Sequence, residues 1–496
     1  MWGDHDPEGR RLPIKVDSAT NGETYPIPLN ERHKAANRHA LDVAGESARA
    51  IGMGRRNFMM SACGAAATLL AFNDINKAYG QTGGSWKVPL DAGKDSSVAQ
   101  ELLKKKHFIF DVQTHHFGRD WGNRNRSWLS AFAQRKVTDA DMGDPEIIKL
   151  LGWVSGPNYM KDVFLDSYTD VAVLTFVPST EETMPLSHSE ASETRDAVQA
   201  LQSGKRLLLH GRINPTMERD VKNIGEIKEK WGVSAAKTYT QFLNSGLSFW
   251  LDDHRVMDRY VSELLRNDIR IICVHKGLPF PSEIATPDSK PYMSAKDVGP
   301  AARTYKDMAF VIYHSAFVPE LAEGPYSDRG PADIGTNSLI RSMRQAGLGP
   351  GSNVYAEIGA SWRYVMKDPN QAAHFIGKLL KYVGEDNVVW GTDSLFFGSP
   401  QDQILAFQTF HISEEYQERY GYPAITDEIR AKVFGLNSAR LYGIVPSQVK
   451  ALADPGALDP LRRLQNVYAE RPNPSFQTYG PKTRSQFLRM AKEEAG

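Results

Sequence analysis

Short apolar runs alternate with amphipathic stretches along most of the chain. Strands are predicted over Phe108–Gln113, Val171–Phe176, Leu207–Ile213, Val233–Tyr239, Ile269–His275, Ala309–His314, Val354–Glu357 and Val388–Gly391. Helical periodicity fills most of the intervals, as in Glu190–Leu201, Glu218–Lys230, Val256–Arg266 and Gln371–Val383. The stretch TDEIRAKVFGLNSARLYGI, with an acidic start and Leu and Phe on one face, closes the series as a helix. This alternation predicts parallel βα units of the α/β class. Eight of them make a complete (β/α)8 TIM barrel over residues 106–445.

The flanks read differently. Residues 1–53 are polar with scattered Pro and Gly and are expected to lack fixed structure. Residues 81–105 read as a linker and 446–496 as a Pro-bearing extension (Pro455, Pro460, Pro472, Pro474, Pro481) forming a strap. Two segments exceed ordinary βα loops. His116–Asp166 carries Trp121, Trp128, Trp153, Tyr159 and Phe164, and forms either a wall of the barrel mouth or a private core. Phe396–Ala424 could add to the same rim.

Lys+Arg and Asp+Glu balance at 59 each, so nothing global favours nucleic acid or an anionic membrane. Hydrophobic residues make up 41%, enough for a large core. Of the two cysteines, Cys63 lies far from the barrel strands and Cys273 inside an apolar one, where it reads as a small core residue.

The chemistry gathers at strand ends. HFIFDVQTHHF ends in Gln113 and His115, IRIICVHKG in His275, MAFVIYHSAF in His314, and NVVWGTD in Asp393. Side chains alternate along a strand, so Asp111, Gln113 and His115 are expected on one face, with His116 pointing elsewhere. Imidazoles and a carboxylate at the C-terminal ends of separate parallel strands suit a mononuclear divalent metal, zinc first, with manganese or iron as alternatives. The expected ligands are His115, His275 and Asp393, with Gln113 as the open question. Either three strong ligands and water hold the metal, or the Gln113 amide oxygen joins them, or the site has lost its metal. His314 is placed as general acid or base. Lys237 reads as a substrate-carboxylate contact or as a carboxylated lysine between two metals. Glu357 reads as an outer partner or a helix-cap ion pair, and Arg363 beside Trp362 as a contact for a conjugated carboxylate.

Together, Asp111-Val-Gln113-Thr-His115, His275, His314-Ser315-Ala316, Gly391-Thr392-Asp393 and Asn437-Ser438-Ala439-Arg440-Leu441-Tyr442 resemble the amidohydrolase superfamily. They are closest to the amidohydrolase-related branch that contains aminocarboxymuconate-semialdehyde decarboxylase, resorcylate-type decarboxylases and several lactone or ester hydrolases. The departure is Gln113, where that pattern has His or Glu. The resemblance implies a metal-dependent enzyme acting on a small organic acid, with Asp393 both binding the metal and accepting a proton from the water. A hydrolase of a lactone, ester or amide is the first expectation, and a non-oxidative decarboxylase or hydratase the second. A barrel without catalytic metal, serving as a binding or scaffold protein, is the third. A homodimer is also implied.

Gly54–Phe72, GRRNFMMSACGAAATLLAF, pairs two arginines with an uncharged stretch, and Ala78 and Gly80 follow at signal-peptidase spacing. This resembles a twin-arginine export signal over 54–80. It implies transient membrane contact, a periplasmic or extracellular location and a mature chain from Gln81. The competing reading is a buried N-terminal helix.

Overall fold

The computed structural model of the chain describes residues 6–118, 154–182, 184–201, 205–241, 248–281, 287–329, 334–449 and 478–493. Strand β1 (Gly84–Trp86) precedes eight strands of a parallel sheet. These are β2 (Phe110–Thr114), β3 (Val171–Leu174), β4 (Leu207–Arg212), β5 (Ala235–Tyr239), β6 (Ile271–His275), β7 (Ala309–Tyr313), β8 (Val354–Glu357) and β9 (Val388–Val389). Each predicted strand falls on one of them. The sheet order is sequential, and β9 returns to β2. Val112 N–H donates to Trp390 O at 3.0 Å, Asp393 N–H to Gln113 O at 2.9 Å, and Thr114 bridges Ser394 in parallel. The fold is a (β/α)8 barrel.

Alternation along the strands builds two cores. Ile271, Cys273, Val311 and Tyr313 pack inside with Phe110 and Val173, while Ile272, Val274, Phe310 and Ile312 pack outside against the helices. Cys273 is buried in the inner cluster, as its setting in an apolar strand implies. The closing helix Asn437–Tyr442 presents Tyr442 to the inner core, with its hydroxyl 2.9 Å from His210 Nε2.

The flanks depart from expectation. Residues 6–50, expected to lack fixed structure, pack on the barrel: Leu12, Ile14, Val16, Ala36, Ala40 and Ala44 are buried. Helix α1 (Glu31–Ala50) starts at Asn30, whose side chain accepts from His33 N. Helices α2 (Arg55–Met59) and α3 (Ala62–Ala78) follow, and α1 and α3 pack through small residues. The stretch read as an export signal therefore includes a helix buried at Ala65, Ala66, Leu69 and Phe72. The linker also has structure, because β1 pairs antiparallel with β10 (Phe410–Ile412) in the Phe396–Ala424 segment. Local polarity misled here. The apolar partners of these segments are supplied by the barrel, which short-range pattern does not see.

The tail residues Pro455, Pro460, Pro472 and Pro474 and the insertion residues Trp121, Trp128 and Trp153 lie outside the described residues. What is described of both segments binds the mouth. Tyr159 of the insertion bonds Thr114 Oγ1 at 2.7 Å, and Tyr479 of the strap donates to Asp162 at 2.7 Å.

Candidate metal centre at the barrel mouth

Strand alternation carries His275 into the barrel, two residues after Cys273. The same rule would turn His314 outward, since Tyr313 is already inside. The chain solves this with left-handed backbone: φ is 64° at His314, 50° at Ser315 and 59° at Ala316. Such conformations at residues bearing Cβ cost roughly 1–3 kcal/mol each and persist only where neighbours over-determine them. Glu357 is one such neighbour. Its Oε2 accepts His314 N–H at 2.9 Å, and its main-chain oxygen accepts Ser315 Oγ at 2.7 Å. The turn brings His314 Nε2 to 3.2 Å from His275 Nδ1. His314 Nδ1 lies 2.8 Å from Gly359 O. A carbonyl only accepts, so Nδ1 carries the proton and Nε2 keeps its lone pair.

Asp393 also has positive φ, 57°. One carboxylate oxygen meets His115 Nε2 at 3.1 Å and accepts from Gln113 Nε2 at 3.1 Å. Gln113 Nε2 lies 3.3 Å from His314 Nε2, and its Oε1 has no partner among the described residues. Gly391, two residues before Asp393, is a steric requirement. A Cβ there would stand 1.8 Å from Glu357 Oε1.

The sequence reading missed two members of the site. Asn21 Nδ2 donates to Asp393 Oδ2 at 2.7 Å and to Glu23 Oε2 at 2.6 Å, so one amide holds two carboxylates. Glu23 Oε1 lies 3.7 Å from His275 Nδ1. Glu23, His275 and His314 each offer a ligand atom within 4.8 Å of the others. The sole local signal was the turn chemistry of Asn21-Gly22-Glu23, where Gly22 takes φ 84°.

The electrostatics follow from burial. Burial holds His275 well below its usual value, with the charges of His314 and Lys237 adding to it. Burial brings His314 down to about 4, against the pull of Asp393. Neutral imidazoles are the metal-binding form. Burial alone would raise Asp393, but the His115 hydrogen bond, the His314 charge and the Asn21 amide hold it below the usual carboxylate range. Glu23 goes the other way, pushed well up by burial and by the Asp393 charge. Glu357 rises to about 8 through burial.

Of the predicted residues, Gln113, His115, His275, His314 and Asp393 converge. Asp111 does not join them. A register irregularity between Asp111 and Thr114 interrupts alternation, and the Asp111 carboxylate accepts from Thr392 N at 3.1 Å and from the Thr392 hydroxyl. His116 faces away, bonding Thr194 Oγ1 at 3.0 Å. Lys237 is buried with no hydrogen-bond partner among the described residues, its Nζ 3.8 Å from the Tyr313 ring centre and 4.6 Å from that of Tyr239. Burial lowers it to about 8. Glu357 holds the His314 backbone through its carboxylate. Arg363 corrects the expectation of a substrate contact. Its guanidinium is buried against Asp17 and Lys15 O, tying down the N-terminal segment.

Residues 226–444 match the family model described as amidohydrolase. The barrel is similar to 2,6-dihydroxybenzoate decarboxylase from Rhizobium, at 11% identity over 68% of this chain and 99% of the other, TM-score 0.36. It is also similar to 4-oxalomesaconate hydratase from Rhodopseudomonas palustris, at 11% identity over 73% and 100%, TM-score 0.40. Dihydroorotase from Saccharomyces cerevisiae matches at 10% identity over 69% and 86%, TM-score 0.37. No curated protein matches the chain. The donor cluster and the family-model match over residues 226–444 support a metal-using activity.

The donor set fits a divalent ion. It combines neutral imidazoles with carboxylates, and two of its buried polar atoms, His275 Nε2 and Gln113 Oε1, lack partners among the described residues.

Proposed function

We propose that the protein is a metal-dependent hydrolase of a lactone, ester or amide of a small organic acid. The observation that carries this reading is the convergence of His115, His275, His314 and Asp393, from four strand ends, within a buried mouth. A divalent metal, zinc first, would be held by His275, Asp393 and His115, and when bound it lowers the pKa of water and polarises a carbonyl.

The remaining chemistry belongs to the chain. His314 Nε2, its lone pair fixed by the Nδ1 proton on Gly359 O, takes a proton from the attacking water and returns it to the leaving oxygen or nitrogen. The acyl C–O or C–N bond breaks as the new C–O bond forms. Lys237 is a buried cation lacking a bonded anion among the described residues, and a substrate carboxylate supplies one. Glu357 keeps His314 in its turned conformation.

His275→Ala and Asp393→Asn should lose metal and turnover together in a folded barrel. His314→Ala should keep metal and lose turnover. Full metal occupancy in the first two variants would sink the assignment. Release of carbon dioxide in place of hydrolysis would move the protein to the lyase reading.

Export by a twin-arginine route, ending outside the cytoplasm, is part of the proposal in a modified form. The N-terminal segment travels uncleaved, because Asn21 and Glu23 belong to the site. Arg55→Lys with Arg56→Lys should then strand folded protein in the cytoplasm.

A further inference from the structure

We infer that Glu23, carried by the N-terminal segment, is a metal ligand and replaces the anionic donor that the first barrel strand lacks at Gln113. The inference rests on the metal-dependent reading above and adds a residue from outside the barrel to its ligand set.

Four observations lead here. First, Glu23 Oε1 stands 3.7 Å from His275 Nδ1 and shares a cluster with His275 and His314. Ligands about 2.0–2.1 Å from a tetrahedral ion lie roughly 3.3–3.4 Å apart, so closing this gap needs only a small side-chain shift. Second, the Gln113 amide nitrogen is engaged with Asp393 and near His314, which leaves a neutral amide where a strong donor is needed. Third, Asn21 holds Glu23 Oε2 and Asp393 Oδ2 on one amide. Two carboxylates gathered this closely repel unless a proton or a cation lies with them, and a metal ion is a cation that serves both. Fourth, the segment is anchored on both sides of Glu23. Asp17 binds the buried Arg363, Thr20 N–H donates to Pro481 O at 3.0 Å, and Thr24 Oγ1 bonds Tyr364 at 2.9 Å. A carboxylate fixed in this way is a preorganised donor. The Glu23 side chain keeps 16% of its surface exposed, so the metal side of the site faces the remaining opening.

The test uses cobalt(II) with the full-length chain, followed by chelator competition and visible absorption. Wild type should bind cobalt. Glu23→Gln should weaken binding by about 10–100-fold and shift the ligand-field bands, with circular dichroism unchanged. Glu23→Cys should bind cobalt and add a sulfur-to-cobalt charge-transfer band, which arises only if position 23 touches the ion. Unchanged affinity and bands in Glu23→Gln, or no charge-transfer band in a cobalt-loaded Glu23→Cys, would overturn the inference and leave the barrel ligands standing. A wild type that binds no cobalt would overturn the metal-dependent reading itself.

Discussion

Asn21 donates to the Asp393 carboxylate at 2.7 Å across 372 residues of sequence. A segment before the first barrel strand thereby enters the centre that the last strand supplies. The barrel presents its donors at strand ends, and the N-terminal segment adds an amide and a carboxylate from above. Glu357, Asn21 and Arg363 act through their neighbours: one turns His314, one aligns two carboxylates, and one anchors the segment.

Asn21→Ala should lower metal affinity and kcat by about tenfold, the scale of one hydrogen bond to a charged group, with little change in Tm. Asn21→Asp should be worse than Asn21→Ala, because a third carboxylate would face Glu23 and Asp393. Equal effects of the two substitutions on metal affinity would show that the amide does not hold the pair.

Lys237→Met should separate stability from activity. Removing a buried ammonium without a bonded anion relieves a desolvation cost, so Tm should hold or rise. The KM for an anionic substrate should rise about 10–100-fold, while a neutral ester analogue should be less affected. A fall in Tm with KM unchanged would make Lys237 a packing residue.

Arg363→Met leaves Asp17 buried without its guanidinium and should destabilise the protein by about 3–5 kcal/mol. The N-terminal segment should release first, so limited proteolysis should nick residues 6–29 before the barrel unfolds. Adding Asp17→Leu should recover part of the loss. If cleavage begins in the barrel instead, the pair does not anchor the segment.

His188 and His374 report on acid stability. Burial lowers them to about 3 and about 4 in the folded chain. His188 Nε2 accepts Arg212 N–H at 3.3 Å, so protonation there also removes an acceptor. The unfolded chain binds these protons near pH 6.5 and the folded one does not. Their contribution is present above pH 6.5 and is lost as pH falls, at roughly 1.4 kcal/mol per pH unit for each histidine. Asp111 and Glu357, raised to about 7 and about 8, act in the opposite sense. The check is therefore a difference. Urea titrations of His188→Gln with His374→Gln should show a shallower loss between pH 6.5 and 5 than wild type. Parallel curves would refute the assignment.

The barrel was legible because strand alternation and helix periodicity are local. The βα units needed only apolar spacing a few residues long, and each predicted strand lies on an observed one. His115, His275 and Asp393 were legible for the same reason, since a polar side chain at the end of an apolar strand has the barrel mouth as its place. His314 was legible as a residue but not in its pose. Left-handed backbone at three successive residues is imposed by Glu357 and Gly359, not by local preference.

The N-terminal segment shows the boundary. By itself the sequence determined a parallel barrel and which polar side chains stand at its strand ends, because both follow from periodicity within one element. Tertiary structure alone decided that a polar stretch without periodicity packs over the mouth, that Arg363 holds Asp17, and that Asn21 and Glu23 reach Asp393 and His275. The physical reason is that these contacts join residues hundreds of positions apart. Their burial is determined by the surface the barrel offers, which no short window of sequence contains.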